Sequence, residues 1–274
     1  MKFKIIQTLQ KKYEVGFLGE GINDAPALKV ANVAISVREA TDISREVSDI
    51  VLLKKDLRVI VDGIEEGRKI FANLNKYMKC TLSSNIGNFY SIAAVSLILP
   101  YLPMLPSQIL LVNLLSDFPL IAIASDNVDI EELRRPKFYQ LNRMVLLIIL
   151  LALLSTIFDF IFFGIFHNSE PAMLQTLWFV ESIVSEIILI FSIRTSKFFL
   201  KAKFPSLPLF LLSLVCIGTT IILPFTYFGQ KTFHFIAPSL HDLLIVLYLL
   251  FGYFILSEIV KLIYFKHWSF LKKK

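Results

Sequence analysis

The stretch that most restricts the fold is Cys80 to Leu99, which carries neither acid nor base between Lys79 and Pro100. Wound as an α-helix at 1.5 Å per residue, it reaches across a hydrocarbon layer of roughly 30 Å. Ser84, Asn85, Asn88 and Ser91 follow one another at helical spacing, so one face of that helix is polar and Asn88 falls near the bilayer midplane. Polar side chains at that depth need partners or a purpose. Composition agrees with a membrane chain: 55% of the 274 residues are hydrophobic, 18% are charged and the mean hydropathy is +0.67, well outside the range of an ordinary soluble domain.

Residues 1–77 have a different character, rich in Lys, Glu and Asp with apolar residues in short runs, so the chain divides into a head (1–77) and a membrane domain (78–274). Met1 to Gln10 lack an uninterrupted apolar core and a small-residue cleavage site, so no secretory signal is expected there. Phe3 to Lys12 reads as an amphipathic helix with Ile5, Ile6 and Leu9 on one face. Val15 to Gly19, Val33 to Val37 and Asp49 to Leu53 read as strands, with a helical Ala40 to Val47 between the last two. Alternation of this kind predicts a parallel α/β layer. From Asp56 to Tyr77 the pattern is helical and runs on into the first membrane helix, a stiff lever between head and membrane.

Six spans are expected, near 79–99, 107–126, 143–166, 175–194, 207–228 and 240–263. The loops with Arg134, Arg135, Lys137 and Arg143, then Arg194, Lys197, Lys201 and Lys203, and the tail Lys266 to Lys274, all fall on the head's side. The opposite connections, Tyr101 to Pro106, His167 to Ala172 and Gly229 to Pro238, contain only Lys231 as a base. The positive-inside rule then places the head and both termini in the cytoplasm, and the net charge of +6 reflects topology instead of nucleic-acid binding. Cys80 and Cys216 lie in apolar surroundings without Cys-x-x-Cys spacing, so neither a disulfide framework nor a thiolate metal site is indicated. His167, His234 and His267 show no ligand spacing, and the 25 phenylalanines read as packing and lipid-facing material.

Two places carry candidate chemistry. Gly19-Glu-Gly-Ile-Asn-Asp-Ala-Pro26 follows a strand and opens a helix. Its glycines permit a tight turn, and a carboxylate at the carboxyl end of a parallel strand suits a cation or a phosphoryl group. The simpler reading is that Asn23 or Asp24 caps the helix begun by Pro26. In the membrane, Asn113 and Asp117 share a face of the second span, and Asp117 lies about 16 Å deep, level with Asn88. The short connection makes the first two spans antiparallel neighbours, so a carboxylate and amide oxygens converge as donors for a hard cation such as magnesium or calcium. Interhelical hydrogen bonding by the asparagines is the alternative. Asp159, Glu181, Glu186 and Glu258 also fall within or near apolar stretches. Spacing puts Glu181 and Glu186 on different faces, and Glu258 reads as interfacial.

Taken together, Gly19-Glu-Gly-Ile-Asn-Asp-Ala-Pro-Ala-Leu28, Ser48-Asp-Ile-Val-Leu-Leu53, Glu66-Gly-Arg68, Ser83-Ser-Asn-Ile-Gly-Asn88 and Asn113-Leu-Leu-Ser-Asp117 resemble P-type cation-transporting ATPases. The resemblance covers the whole chain in order and is most like the bacterial magnesium-transporting members. Asn88 stands where calcium pumps usually present a glutamate, and Asp126-Asn-Val-Asp129 has the magnesium-pump pattern. It implies a mainly α membrane protein of the bacterial plasma membrane, a six-helix transmembrane bundle with a small partial α/β, haloacid-dehalogenase-like, cytoplasmic head. Residues 1–77 become the C-terminal part of the phosphorylation domain and the spans the last six of ten. By resemblance Glu20 and Asp24 hold the catalytic Mg2+, Asn23 lies near the phosphoryl group, and Asn88, Asn113 and Asp117 coordinate the transported divalent cation, expected to be Mg2+, with Asn85 close by.

The family's Asp-Lys-Thr-Gly segment occurs nowhere in this sequence, so ATP enters only through domains outside it and a complementing N-terminal half is the expected partner, alongside the lipid bilayer. Glu20 also replaces the first acid of the family's Gly-Asp-Gly. The extra methylene moves the carboxylate by about 1.5 Å, a displacement that can cost about 10²-fold in rate. The leading expectation is a truncated or split half of a magnesium transporter, inactive alone. The alternatives are an inactive membrane remnant or modulator, and a fragment of a calcium or other cation pump.

Overall fold

A computed structural model describes residues 1–54, 56–134 and 136–271. Arg135 and Lys272 to Lys274, counted above among the basic flanks, lie outside the described residues. Two compact units are present, Met1–Gly67 and Arg68–Lys274.

The first unit opens with α1 (Lys2–Leu9), β1 (Gly16–Leu18), α2 (Ala25–Leu28), β2 (Val33–Val37), α3 (Asp42–Glu46) and β3 (Ile50–Leu52). The strands form one parallel sheet in the order β1-β2-β3, with Gly16 opposite Val33 and Val37 opposite Leu52. Parallel neighbours need a crossover, which α2 and α3 supply. Side chains extend the ladder past the strand ends: Asn32 Oδ1 accepts from the Val15 amide at 2.9 Å and Asp49 Oδ2 from the Ala34 amide at 2.8 Å. Val37, Ala40 and Leu52 form the small core, with Leu18, Ile35 and Ile60 against it. The expected apolar face of the first helix is narrower than its sequence implies, because only Ile6 is buried while Ile5 and Leu9 stay exposed.

Helix α4 (Arg58–Ser96) is followed by α5 (Pro106–Ala122), α6 (Ile130–Leu133), α7 (Leu141–Phe166), α8 (Pro171–Ile193), α9 (Leu207–Ile222), α10 (Tyr227–Phe233) and α11 (Leu240–Leu271). Among the described residues five helical stretches are long and apolar enough to cross a membrane: 106–125, 141–166, 171–193, 207–225 and 240–267. This makes the chain a multi-pass membrane protein. The stretch expected at 79–99 is helical only to Ser96 and is not one of the five, because its serines and asparagines dilute its hydropathy. Proline sets several boundaries: Pro106, Pro171 and Pro208 occupy first-turn positions, where a missing N–H costs nothing, and Pro119 precedes the early end of α5.

The membrane unit is built around α8. Its span is 89% buried, against less than half for each of the other four, and it packs on α5, α7, α9 and α11. That burial explains its unusual composition, since a helix surrounded by protein can carry Thr176, Glu181, Ser182, Ser185, Glu186 and Ser192 inward. Aromatic rings fill the space beside it, with Phe163 4.7 Å from Trp178 and Phe179 4.5 Å from Phe235 between centroids.

Candidate functional site

In the first unit the loop after β1 folds back on itself. Asp24 Oδ2 accepts from the amides of Glu20 at 3.3 Å and Gly21 at 3.4 Å, and Asp24 Oδ1 accepts from Lys2 Nζ at 2.6 Å. Asp24 begins α2 but makes no side-chain bond to that helix, so its carboxylate closes the loop and does not cap. The Lys2 ammonium, with help from the two amides, holds the Asp24 carboxyl below the usual carboxylate range despite its burial. No glycine here takes a left-handed conformation. Gly19 is required for room instead, because a Cβ there would stand 2.7 Å from Asp24 Cβ. Glu20 and Asn23 are exposed beside this loop. The turn thus presents two carboxylates, Glu20 exposed and Asp24 engaged by the Lys2 ammonium, the hard oxygen type that magnesium prefers.

In the membrane unit the buried acids gather around α8. Asn88 Nδ2 donates to Glu186 Oε1 at 2.5 Å, joining α4 to α8. Ser91 Oγ donates to Asp159 Oδ2 at 2.5 Å and Trp178 Nε1 to Asp159 Oδ1 at 2.8 Å, joining α4, α7 and α8. Glu181 faces Asp159, and its Oε2 is buried without a hydrogen-bond partner. Asp159, Glu181 and Glu186 are 2%, 3% and 7% exposed, so the five-residue spacing that seemed to separate the two glutamates does not take either out of the interior. From α5, Ser116 faces Glu186 and Asp117 lies within electrostatic reach of it. Asn113 and Asp117 themselves are exposed, as is Asn85. Among the described residues no three His, Cys, Asp or Glu side chains are arranged to hold a metal between them, so any cation here would draw on amide and hydroxyl oxygens as well.

Close packing brings α4 to α7 at this level. A Cβ on Gly87 would meet Ser155 Cβ at 3.0 Å, and Thr156 Oγ1 reaches the Gly87 carbonyl at 3.5 Å. Gly87 therefore lets the two backbones approach where Ser91 must reach Asp159.

Two further knots of charge were not foreseen. Asp126 is gripped by Lys76 Nζ at 2.8 Å, Arg194 Nη2 at 2.9 Å, Arg194 Nε at 3.1 Å and the Ser206 amide at 3.0 Å. Burial alone would raise the Asp126 carboxyl, but Arg194 and Lys76 outweigh it and hold the group below its ordinary value. Burial lowers the Lys76 ammonium, an effect that Asp126 only partly offsets. Asn73 Nδ2 adds bonds to the carbonyls of Ala124 at 3.1 Å and Asp126 at 2.9 Å. Asp129 accepts from Thr195 Oγ1 at 2.7 Å and the Lys203 amide at 3.0 Å. Glu258, read above as interfacial, is 3% exposed and meets Lys261 Nζ at 2.7 Å, Ser192 Oγ at 2.7 Å and the Phe199 amide at 2.8 Å. The correction has a simple cause, since Lys261 lies one turn further along α11 and neutralises the acid in place. Arg194, counted as a loop base, is likewise an interior ion-pair partner.

The description "Cation transporting ATPase, C-terminus" matches residues 101–263. The chain belongs to the P-type cation-transporting ATPases. It is 40% identical over 233 residues to Magnesium-transporting ATPase, P-type 1, of Escherichia coli (strain K12), covering 82% of this chain and 26% of that protein. It is 36% identical over 277 residues to the protein of the same name from Salmonella typhimurium (strain LT2), covering 98% and 30%. The Calcium-transporting ATPase of Bacillus subtilis (strain 168) is 30% identical over 263 residues, covering 90% and 29%. The chain thus corresponds to the C-terminal portion of a P-type ATPase, most similar to the magnesium-transporting members, and it spans less than a third of the length of these relatives.

Proposed function

We propose that this chain is the C-terminal half of an ATP-driven magnesium transporter, acting with a complementing N-terminal half, and that the transported ion is held beside Glu186. The observation that carries the reading is the Asn88 to Glu186 contact at 2.5 Å, set next to buried Asp159 and Glu181. Amide, hydroxyl and carboxylate oxygens are the hard donors that Mg2+ prefers, and an intramembrane carboxylate lacking a basic partner has a free-energy reason to attract a cation. Asn113 and Asp117 complete the proposed ligand set from α5.

In this reading the stretch from residue 78 is the first of six spans, the basic loops face the cytoplasm of a bacterium, and residues 1–77 are the end of a haloacid-dehalogenase-like phosphorylation domain. Glu20 and Asp24 would hold a catalytic Mg2+, which would supply positive charge to phosphoryl oxygens, and Asn23 would lie beside the phosphoryl group. ATP binds outside this chain.

The test is co-expression with an N-terminal half bearing Asp-Lys-Thr-Gly in cells limited for magnesium. Growth is expected with the wild-type pair and lost with Glu186→Gln or Asn88→Leu, while Glu20→Asp raises ATPase turnover. Growth that survives Glu186→Gln in a stably expressed pair removes the proposed ion site. The number of carboxylates around α8 supports calcium as a second cargo. Titration of the purified chain with Mg2+ and with Ca2+, each compared with Asn88→Glu, decides between them.

A further inference from the structure

Asp159 on α7 and Glu181 on α8 face one another in the interior of the membrane unit, and neither is among the cation ligands proposed above. Asp159 is engaged on both oxygens as an acceptor. Ser91 Oγ donates to its Oδ2 at 2.5 Å and Trp178 Nε1 to its Oδ1 at 2.8 Å, and an indole nitrogen can only donate. An ionised carboxylate is what such a pair of donors serves. Glu181 is different, because its Oε2 is buried and meets no donor, while the Asp159 carboxylate lies within hydrogen-bonding reach of its carboxyl group. Two ionised carboxylates cannot bond to each other, since both only accept. A proton on Glu181 turns the same contact into an O–H donor on an anion, one of the stronger kinds of hydrogen bond.

The surroundings offer no other means of balancing the charge. Glu186 faces the pair along α8, Asp117 lies beyond it on α5, and Tyr253 faces the acids from α11 with its hydroxyl turned to Ser155. From α4 come the neutral groups of Ser91 and, toward Glu186, Asn88. Among the described residues no ammonium, guanidinium or imidazole answers either acid. A second anion would be buried against the first with nothing to offset it, a cost that adjacent carboxyl groups avoid by sharing one proton. We propose that Asp159 and Glu181 form a proton-binding site, which holds one proton on Glu181 against Asp159 and keeps it while a cation is bound. Retention rests on the cation site proposed above. With Glu186 as ligand and one proton on the pair, the three buried acids carry two negative charges, which one divalent cation balances, whereas ionised Glu181 would add a third.

The full chain, in a detergent without carbonyl groups, is read by infrared difference spectroscopy at neutral pH with saturating Mg2+. Wild type minus Glu181→Gln is expected to show the C=O stretch of one protonated carboxyl group, shifted down in D2O. Glutamine keeps the size of the side chain and a donor toward Asp159, so this variant is expected to fold. Asp159→Asn replaces the anionic acceptor by a weaker one and moves the band. Trp178→Phe deletes a competing donor, keeps the ring and moves the band the opposite way, which serves if Asp159→Asn misfolds. A difference spectrum without the band, a band that Mg2+ abolishes, or one that neither Asp159→Asn nor Trp178→Phe moves overturns the proposal. The cation site is read separately, from the carboxylate change that Mg2+ induces. If that change survives Glu186→Gln while the acid band is present, the cation site fails and the proton pair stands.

Discussion

Asp126 and Glu186 are both buried carboxylates of the same unit, yet Asp126 meets an ammonium and a guanidinium whereas Glu186 meets an amide and a hydroxyl. Around Asp126 one carboxylate is shared by two cations, whose further donors reach the carbonyls of Asn127 and Lys203, so the arrangement ties α4, the end of α5, α8 and the segment before α9 into one joint. Around α8 at the level of Asn88, Asp159 and Glu186 are supported by neutral donors, Glu181 faces Asp159, and Glu181 Oε2 has no hydrogen-bond partner among the described residues. The first pattern is built to stay as it is. The second gathers buried carboxyl groups with no basic partner among the described residues, which is the arrangement the proposed cation site calls for.

The largest effect is expected at the joint. Asp126→Ala leaves Lys76 and Arg194 buried without their counter-charge, a change that typically costs about 3–5 kcal/mol. Thermal unfolding of the purified chain, followed by helical circular dichroism, should fall steeply. Glu181→Gln removes an acid with an orphaned oxygen, and it should leave the midpoint unchanged or raise it when no divalent cation is present. Equal losses in the two variants would break the comparison.

How these regions read in the sequence follows from their range. The strands of the first unit, the proline-marked helices and the polar stripe around Asn88 are local patterns, and their positions came through within a few residues. The family motif at Asp126 was visible too, but its partners Lys76 and Arg194 stand 50 and 68 residues away, and no local spacing announces them. Glu186 was hidden for a similar reason. Helical spacing describes one face of one helix, whereas α8 is enclosed by protein on nearly all sides, so acids on different faces can both be interior. Glu258 was misplaced because its position near a helix end outweighed Lys261 one turn away.

A smaller loss is expected where the acid set depends on packing. Gly87→Ala puts a methyl 3.0 Å from Ser155 Cβ, and overpacking of this sort costs about 1–3 kcal/mol. Ser155→Gly in the same chain should restore most of the midpoint, because it removes the atoms that the new methyl strikes. Failure of that rescue would mean that α4 and α7 are not held by close approach at Gly87.

Acid offers a milder probe of the joint. The Asp126 carboxyl is held below its ordinary value in the folded chain, so the stabilisation it contributes is complete above the unfolded value of about 3.9 and is lost as pH falls through the lowered folded value. Wild type should therefore lose stability between about pH 4 and the onset of acid unfolding more steeply than Asp126→Asn, which has no such group to protonate. Parallel curves would remove Asp126 from the acid limb.

The smallest effect is expected at Lys197 and Glu131, 2.8 Å apart and therefore as close as Lys76 and Asp126. Distance alone would rank the two pairs together. Both members of the first are open to water, which screens the attraction, and each long side chain loses rotamer freedom when it is held, whereas the second pair has no solvent to fall back on. Lys197→Ala should thus leave the unfolding midpoint where it was at moderate salt, and any shift seen at low salt should vanish on adding more. A salt-insensitive loss would mean that Lys197 contributes through the packing of its aliphatic stem and not its charge, since alanine keeps the backbone carbonyl that accepts from Lys261 Nζ at 2.7 Å.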